Sequence, residues 1–152
     1  MKAFLPITLS ILLFSACSEH NAFKEFNISK TKELSEDSIQ TFKVKRDGKV
    51  DGIVSVIYLN KVFPQKYRGN EFFYVNYYIK DKNASVDFTL NTKPVLTSKE
   101  LQPDNEFTYL TSFNAPWSHY YLLEFPKEGN VLKLKLKTAK AANATLTFIK
   151  DK

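Results

Sequence analysis

The sequence predicts an all-β protein, built as an antiparallel sandwich of about seven or eight strands. From Ile39 onward, apolar and polar residues alternate with a period of two, which is typical of strands that bury one face. Turn-forming residues such as Asp47-Gly48 recur between these segments, as they do in hairpins. A small closed β-barrel is the alternative fold, and no helix of any length is expected.

The predicted strands follow from these alternating segments in chain order. Leu132 to Lys137 is the clearest case, because leucine and lysine alternate there and give one dry and one wet face. The full set of predicted strands is Gln40 to Arg46, Gly52 to Leu59, Glu71 to Lys80, Ser85 to Asn91, Glu106 to Phe113, Trp117 to Phe125, Asn130 to Thr138 and Ala144 to Lys150. A further short strand is possible around Phe26 to Lys30.

The region from Asn91 to Asn105 interrupts the alternation. Thr97-Ser98-Lys99-Glu100 has the spacing of a helix capping box, and Pro103 stops a helix after about one turn. We therefore predict one helical turn here and a crossover between two sheets. A crossover of this kind, with this strand count and length, predicts an immunoglobulin-like sandwich.

The N-terminus has the pattern of an export signal. A basic start at Lys2 precedes an apolar run that ends at Cys17, and the run is too short to span a bilayer. Ser15-Ala16-Cys17 resembles the end of a bacterial lipobox. The resemblance implies that residues 1–16 are a lipoprotein signal peptide and that Cys17 carries acyl chains such as palmitate. Ordinary secretion, with a cut before Glu19, is the alternative.

The remaining chain divides into a tether and one domain. Residues 17–38 are mostly polar and predict a lipidated tether, and residues 39–152 form the predicted sandwich. Ser18 stands where inner-membrane lipoproteins typically carry aspartate, so the resemblance implies the outer membrane, on either its periplasmic or its exposed side. The whole chain resembles the small immunoglobulin-like envelope lipoproteins of Campylobacter-like epsilonproteobacteria.

Aromatic residues make up 14% of the chain and concentrate between Phe72 and Ile79. In a strand, the odd positions of this segment form a core stripe and the even positions face the other way. Phe72, Tyr74 and Tyr78, together with Tyr120, are therefore the candidate binding face, since tyrosine suits both protein interfaces and sugar rings. The alternative is that a neighbouring loop or the tether covers these residues.

The sequence does not predict an enzyme, a metal site or a cofactor. His20 and His119 are its only two histidines, and Cys17 is its only cysteine, which is far from the clustering that metal ligands or a nucleophile and base require. The single cysteine also excludes an internal disulfide. The charge of +6 comes mainly from lysine, and nucleic acid is not an expected partner, because nucleic-acid binders favour arginine.

Three acceptor motifs for N-glycosylation occur, at Asn27, Asn83 and Asn143. Glu25 and Asp81 precede the first two by two residues, which resembles the extended sequon of the bacterial periplasmic glycosylation system. Asn27 and Asn83 are therefore possible glycosylation sites.

The function expected from these features is binding without catalysis. The preferred hypothesis is a membrane-anchored binding or adhesion module for another envelope or host component, most simply a protein. Two alternatives are a structural accessory subunit of an envelope complex and a glycan or glycolipid binder.

The anchor is tested by a Cys17→Ser variant expressed in a Gram-negative host. We expect it to lose the mass of the acyl chains and to leave the membrane fraction, because each buried methylene contributes about 0.8 kcal/mol to membrane attachment. Mass spectrometry and fractionation measure both effects. A Ser18→Ala variant is the control and should stay anchored; a Cys17→Ser protein of unchanged mass in the membrane would contradict lipidation.

Overall fold

The computed structural model describes residues 32–111, 114–139 and 144–150. The strands in these ranges are β1 (Ile39–Arg46), β2 (Lys49–Tyr58), β3 (Glu71–Ile79), β4 (Val86–Leu90), β5 (Lys93–Pro94), β6 (Thr97–Leu101), β7 (His119–Phe125), β8 (Val131–Thr138) and β9 (Ala144–Ile149). They form sheet A, in the order β1-β2-β3-β7-β6, and sheet B, in the order β5-β4-β8-β9. The predicted all-β sandwich is confirmed, and these strands do not close into a barrel.

Strands pair antiparallel within each sheet, and the chain crosses repeatedly between the two sheets. β3 and β7 are neighbours in sheet A, and the strands that follow each of them, β4 and β8, are neighbours in sheet B. The chain crosses back between β5 and β6, where the Leu96 N–H donates to the Glu124 carbonyl at 2.8 Å. This crossing is the one that the sequence predicts between Asn91 and Asn105.

Two local predictions are wrong. Thr97 to Glu100 belong to strand β6 and not to a helical turn, because their backbone pairs with β7. The predicted strand from Glu106 to Phe113 is a turn and a short 3-10 helix, Thr108–Leu110, in its described part. Asn105 holds this turn, since its side-chain oxygen accepts the Phe107 N–H at 2.9 Å.

The described residues also include two short helices at positions where the sequence predicts none. Helix α1 covers residues 32–38, inside the predicted tether, and helix α2 is Leu59–Val62. Ser35 and Ser38 of α1 are buried, and the Ser35 hydroxyl lies 3.2 Å from the Leu110 carbonyl. The described fold therefore includes seven residues that precede the predicted boundary at Ile39.

The main hydrophobic core lies between the sheets. Leu132, Leu134 and Leu136 of β8 are buried in it, while the lysines between them point outward. Each fully buried leucine contributes about 1.5–3 kcal/mol relative to an exposed one. The inner core consists of Val44, Val54, Val56, Tyr58, Phe73, Val75, Tyr77, Ile79, Leu90, Leu123, Phe125, Leu132, Leu134, Leu136, Ala144, Leu146 and Phe148.

A second core covers the outer face of sheet A. Its residues come from β2, β3 and β7 on one side and from α2, the segment after it and the 3-10 helix on the other. This outer core consists of Ile57, Leu59, Val62, Tyr67, Tyr74, Phe107, Leu110 and Tyr120. Sheet A is thus buried on both faces over part of its area.

A buried carboxylate links the two sheets at the start of β3. Glu71 is 1% exposed, and its oxygens accept hydrogen bonds from the Tyr58 hydroxyl at 2.6 Å, the Lys150 ammonium and the Glu128 N–H at 2.9 Å. Lys150, which follows β9, also donates to the Glu128 carbonyl at 2.8 Å. Burial, followed by the hydrogen bond to Glu71 and its charge, raises the pKa of Tyr58 well above its ordinary value.

Replacing Glu71 with Gln tests this network. We expect a loss of about 3 kcal/mol in the free energy of unfolding, because removing one partner leaves the partly buried Lys150 ammonium without its counter-charge. Urea unfolding of the protein measures the loss.

The matched control for this variant is Glu106→Gln. Glu106 pairs with Lys66 at 2.7 Å, but both side chains are more than half exposed, and exposed pairs contribute at most about 1 kcal/mol. Equal losses in the two variants would show that the Glu71 network has no special role in stability.

Candidate binding groove

The structure separates the four residues of the predicted aromatic face. Tyr74 and Tyr120 are each 1% exposed and belong to the outer core, where Tyr74 packs 5.1 Å from the Phe107 ring. Phe72 is half-buried against the Tyr67 ring at 5.0 Å. The prediction of an open face is wrong for Tyr74 and Tyr120, because α2 and the turn around the 3-10 helix cover them, as in the alternative reading of this strand.

Tyr78 is the member of that set that borders a groove. It is partly exposed and lies with Trp117 at one end of sheet A. The groove has a volume of about 370 Å³, and it is lined by Tyr77, Tyr78, Ile79, Asp81, Lys82, Ala84, Pro116, Trp117, Ser118 and His119. These residues come from the end of β3, the turn after it, the loop that leads into β7 and the first residue of β7.

A tight turn presents Trp117. The Ser118 N–H donates to the Ala115 carbonyl at 3.0 Å, which places Pro116 and Trp117 at the two central positions of a β-turn, and proline is favoured at the first of them. The indole is 63% exposed. It is therefore held out of the core by the backbone of its own turn.

Tyr120 holds this turn in place. Its hydroxyl accepts the Ala115 N–H at 2.8 Å and donates to the Ala115 carbonyl at 3.0 Å. A tyrosine that bonds the backbone a few residues upstream is also the device of the tyrosine corner in immunoglobulin-like sandwiches. Tyr120 thus positions Trp117 and is not itself a contact residue.

Gly52 allows β2 to lie close to the end of β3 that lines the groove. A Cβ atom at this position would lie 2.4 Å from the Tyr78 carbonyl oxygen, which is a backbone atom. No other residue fits without moving the strands apart. The position of Tyr78 in the groove therefore depends on a glycine in the neighbouring strand.

Stacked rings form the side of the groove next to His119. The Tyr77 ring lies 5.1 Å from the His119 ring and 5.9 Å from the Tyr121 ring, with both pairs nearly parallel. His119 Nδ1 is 3.5 Å from a Glu100 oxygen. Burial first, and then Tyr121, raises the pKa of Tyr77 well above its ordinary value, so Tyr77 is a neutral hydrogen-bonding group.

The turn after β3 forms the charged rim. Asp81 lies 3.6 Å from the Arg46 guanidinium, and its side chain accepts the Asn83 N–H at 3.1 Å. Asn83, a predicted glycosylation site, is exposed in this turn. Cys17 and Asn27, the predicted lipidation site and the other predicted glycosylation site, lie outside the described residues.

Clusters of possible metal ligands and the surroundings of His119 bear on other kinds of site. No group of three or more His, Cys, Asp or Glu side chains there is close enough to hold a metal ion. His119 has a carboxylate neighbour in Glu100, but both side chains are about half exposed. The groove instead offers one free aromatic ring with polar groups around it.

The predicted strand from Trp117 to Phe125 includes Trp117, which the structure places in the turn before β7. The groove is therefore not part of the sequence prediction. The signal that predicts the correct structure is Pro116, since proline before Trp117 favours a turn over a strand. The closeness of Asp81 and Lys82 to Trp117 has no sequence signal, because it arises from the pairing of β3 with β7.

Comparisons with protein-family models, curated protein sequences and solved structures found no match to this chain. Among the helices that the structure describes, none is long and apolar enough to cross a membrane.

The buried tyrosines predict instability at high pH. Burial raises the pKa of Tyr74 to about 12 and also raises those of Tyr58 and Tyr77. Since unfolded tyrosines ionise near pH 10, their stabilising effect is complete below that pH and is lost as the pH rises above it. We expect the free energy of unfolding to fall by up to about 1.4 kcal/mol per pH unit for each such tyrosine.

Urea unfolding between neutral pH and about pH 11 measures this slope. A Tyr74→Phe variant should show a shallower slope, and Trp117→Phe, which removes no ionisable group, should match the parent protein. A slope that is unchanged in Tyr74→Phe would contradict the assignment.

Proposed function

We propose that this protein is an outer-membrane lipoprotein whose sandwich is a non-catalytic binding module for another envelope or host component. The groove at Trp117 is the observation that carries the proposal. It combines an exposed indole with the partly exposed Tyr78 and with polar side chains, and ligand sites are typically concave, with aromatic walls and a few polar groups.

The position of the groove in the sandwich supports this function. β1 enters sheet A at Ile39, which is aligned through Ile57 with Tyr74 of β3. The groove begins at Tyr77, three residues further along β3, or about 10 Å along the strand direction. The chain that follows the proposed lipid anchor at Cys17 therefore enters sheet A at a point away from the groove.

The groove is also built on a rigid support. Tyr78 lies on a strand paired on both sides, and the turn that carries Trp117 is bonded to the buried Tyr120. A binding site whose side chains are already held in place loses less conformational entropy when its ligand arrives.

One observation favours the alternative of an accessory subunit. Val131 and Ile149 are cross-strand partners in sheet B, and they are 47% and 67% exposed. An exposed apolar pair on the face of a sheet suits contact with a larger complex.

Photo-crosslinking in intact cells distinguishes the two functions. A diazirine amino acid is placed at Lys82 or Ala84 for the groove, at Ile149 for the sheet B contact, and at Lys137 as an exposed control on sheet B. We expect adducts with protein or glycan from Lys82 and Ala84 only. Adducts from Ile149 alone would favour the accessory subunit, and the absence of any adduct from the groove would contradict the binding module.

A further inference from the structure

We infer that the ligand of the Trp117 groove is an uncharged saccharide, with one pyranose ring stacked on the indole. This inference rests on the proposed function, since it names the class of ligand for the same groove.

The first argument is the state of the indole. Trp117 is 63% exposed, the largest value among the exposed aromatic side chains in the described ranges, and it has no ring partner there, whereas Tyr77 stacks on two rings. A free, flat aromatic face favours ligands that present a flat set of C–H groups, because the face of the ring carries partial negative charge. The less polar face of a pyranose has this property.

The second argument is the polarity around that ring. Ser118, which lines the groove, is 7% exposed, and its hydroxyl has no hydrogen-bond partner in the part of the chain that the structure describes. His119 and Lys82 add donors at the rim. A sugar combines an apolar face with an edge of hydroxyl groups, and rotation of the Ser118 side chain toward the groove would let these hydroxyls satisfy its oxygen directly or through a bridging water.

The third argument is charge. Lys82 and Asp81 are adjacent on the rim, and the Asp81 carboxylate also faces Arg46 at 3.6 Å. Acidic and basic groups thus alternate there, without an excess of cations that would select a phosphate or a carboxylate. Hydroxyl groups, which donate and accept, suit such a mixed rim better than an anion does.

The fourth argument separates a sugar from a protein partner. A stable protein interface buries about 800 Å² on each side around an apolar centre. Of the large apolar side chains that are exposed in the described residues, Trp117 alone lines the groove. One ring in a groove of about 370 Å³ fits a small ligand better than it fits the centre of a protein interface.

Intrinsic fluorescence tests the inference directly, because Trp117 is the only tryptophan in the chain. The full-length mature protein is first screened on a glycan array and then titrated with the free oligosaccharides that bind. We expect a blue shift of the emission, since the sugar shields the indole from water, and saturation with the same midpoint in calorimetry.

Variants decide whether the groove is responsible. We expect Trp117→Ala to weaken array binding by about tenfold or more, as the loss of a stacked aromatic contact does, and Ser118→Ala to weaken the fluorescence titration while Trp117 still reports. Tyr109→Ala is the matched control, because Tyr109 is 48% exposed but does not line the groove. Circular dichroism confirms that each variant is folded.

Two results would overturn the inference. One is an array on which no uncharged glycan binds the parent protein above the Trp117→Ala background. The other is an in-cell adduct from Lys82 that contains protein alone, which would keep the binding module but replace its ligand. Loss of both the array signal and all in-cell adducts would instead remove the proposed function itself.

Discussion

The carboxylate of Glu71 is the constraint on which the alignment of the sandwich depends. An ionised group buried to this extent is stable only when its oxygens are fully hydrogen-bonded. Its partners come from β2, from the segment before β8 and from the residue after β9. Alternating apolar residues determine which face of each sheet is inside. A shift of one sheet along the other would still preserve much of the apolar contact between them. The same shift would leave Glu71 without its partners.

Burial of sheet A on both faces follows from the position of β3. This strand lies in the middle of the sheet, so Phe73 and Val75 face the inner core while Tyr74 faces the outer one. In the described residues, the cover over the outer face is short, because it consists of α1, α2, the segment after α2 and the turn around the 3-10 helix. Beyond it, Tyr78 is only partly buried, and the groove begins where this cover ends.

Burial of Tyr120 takes it out of the predicted aromatic binding face, but the same buried residue helps to form the groove. Tyr120 is unavailable to a ligand, yet its two hydrogen bonds to Ala115 hold the turn that exposes Trp117. Gly52 has a similar indirect role, since its missing side chain lets Tyr78 take its place beside that turn. The proposed binding site is thus small and polar, and it is supported by rigid structure. A small polar ligand with one apolar face matches it better than a broad protein surface.

The fold class and most of the strands follow from local sequence pattern, because the period-two alternation in segments such as Leu132 to Lys137 reports directly which side chains leave water. The local pattern also marked the turn at Asp47-Gly48, where both residues adopt positive φ. Tertiary structure alone decided that Tyr74 is buried and that Thr97 to Leu101 form an edge strand. These outcomes depend on which segments pack or pair at long range, whereas local pattern carries only the conformational preference of each segment. The groove also depends on tertiary structure, since Trp117 and Lys82 line it together only after β3 and β7 have paired.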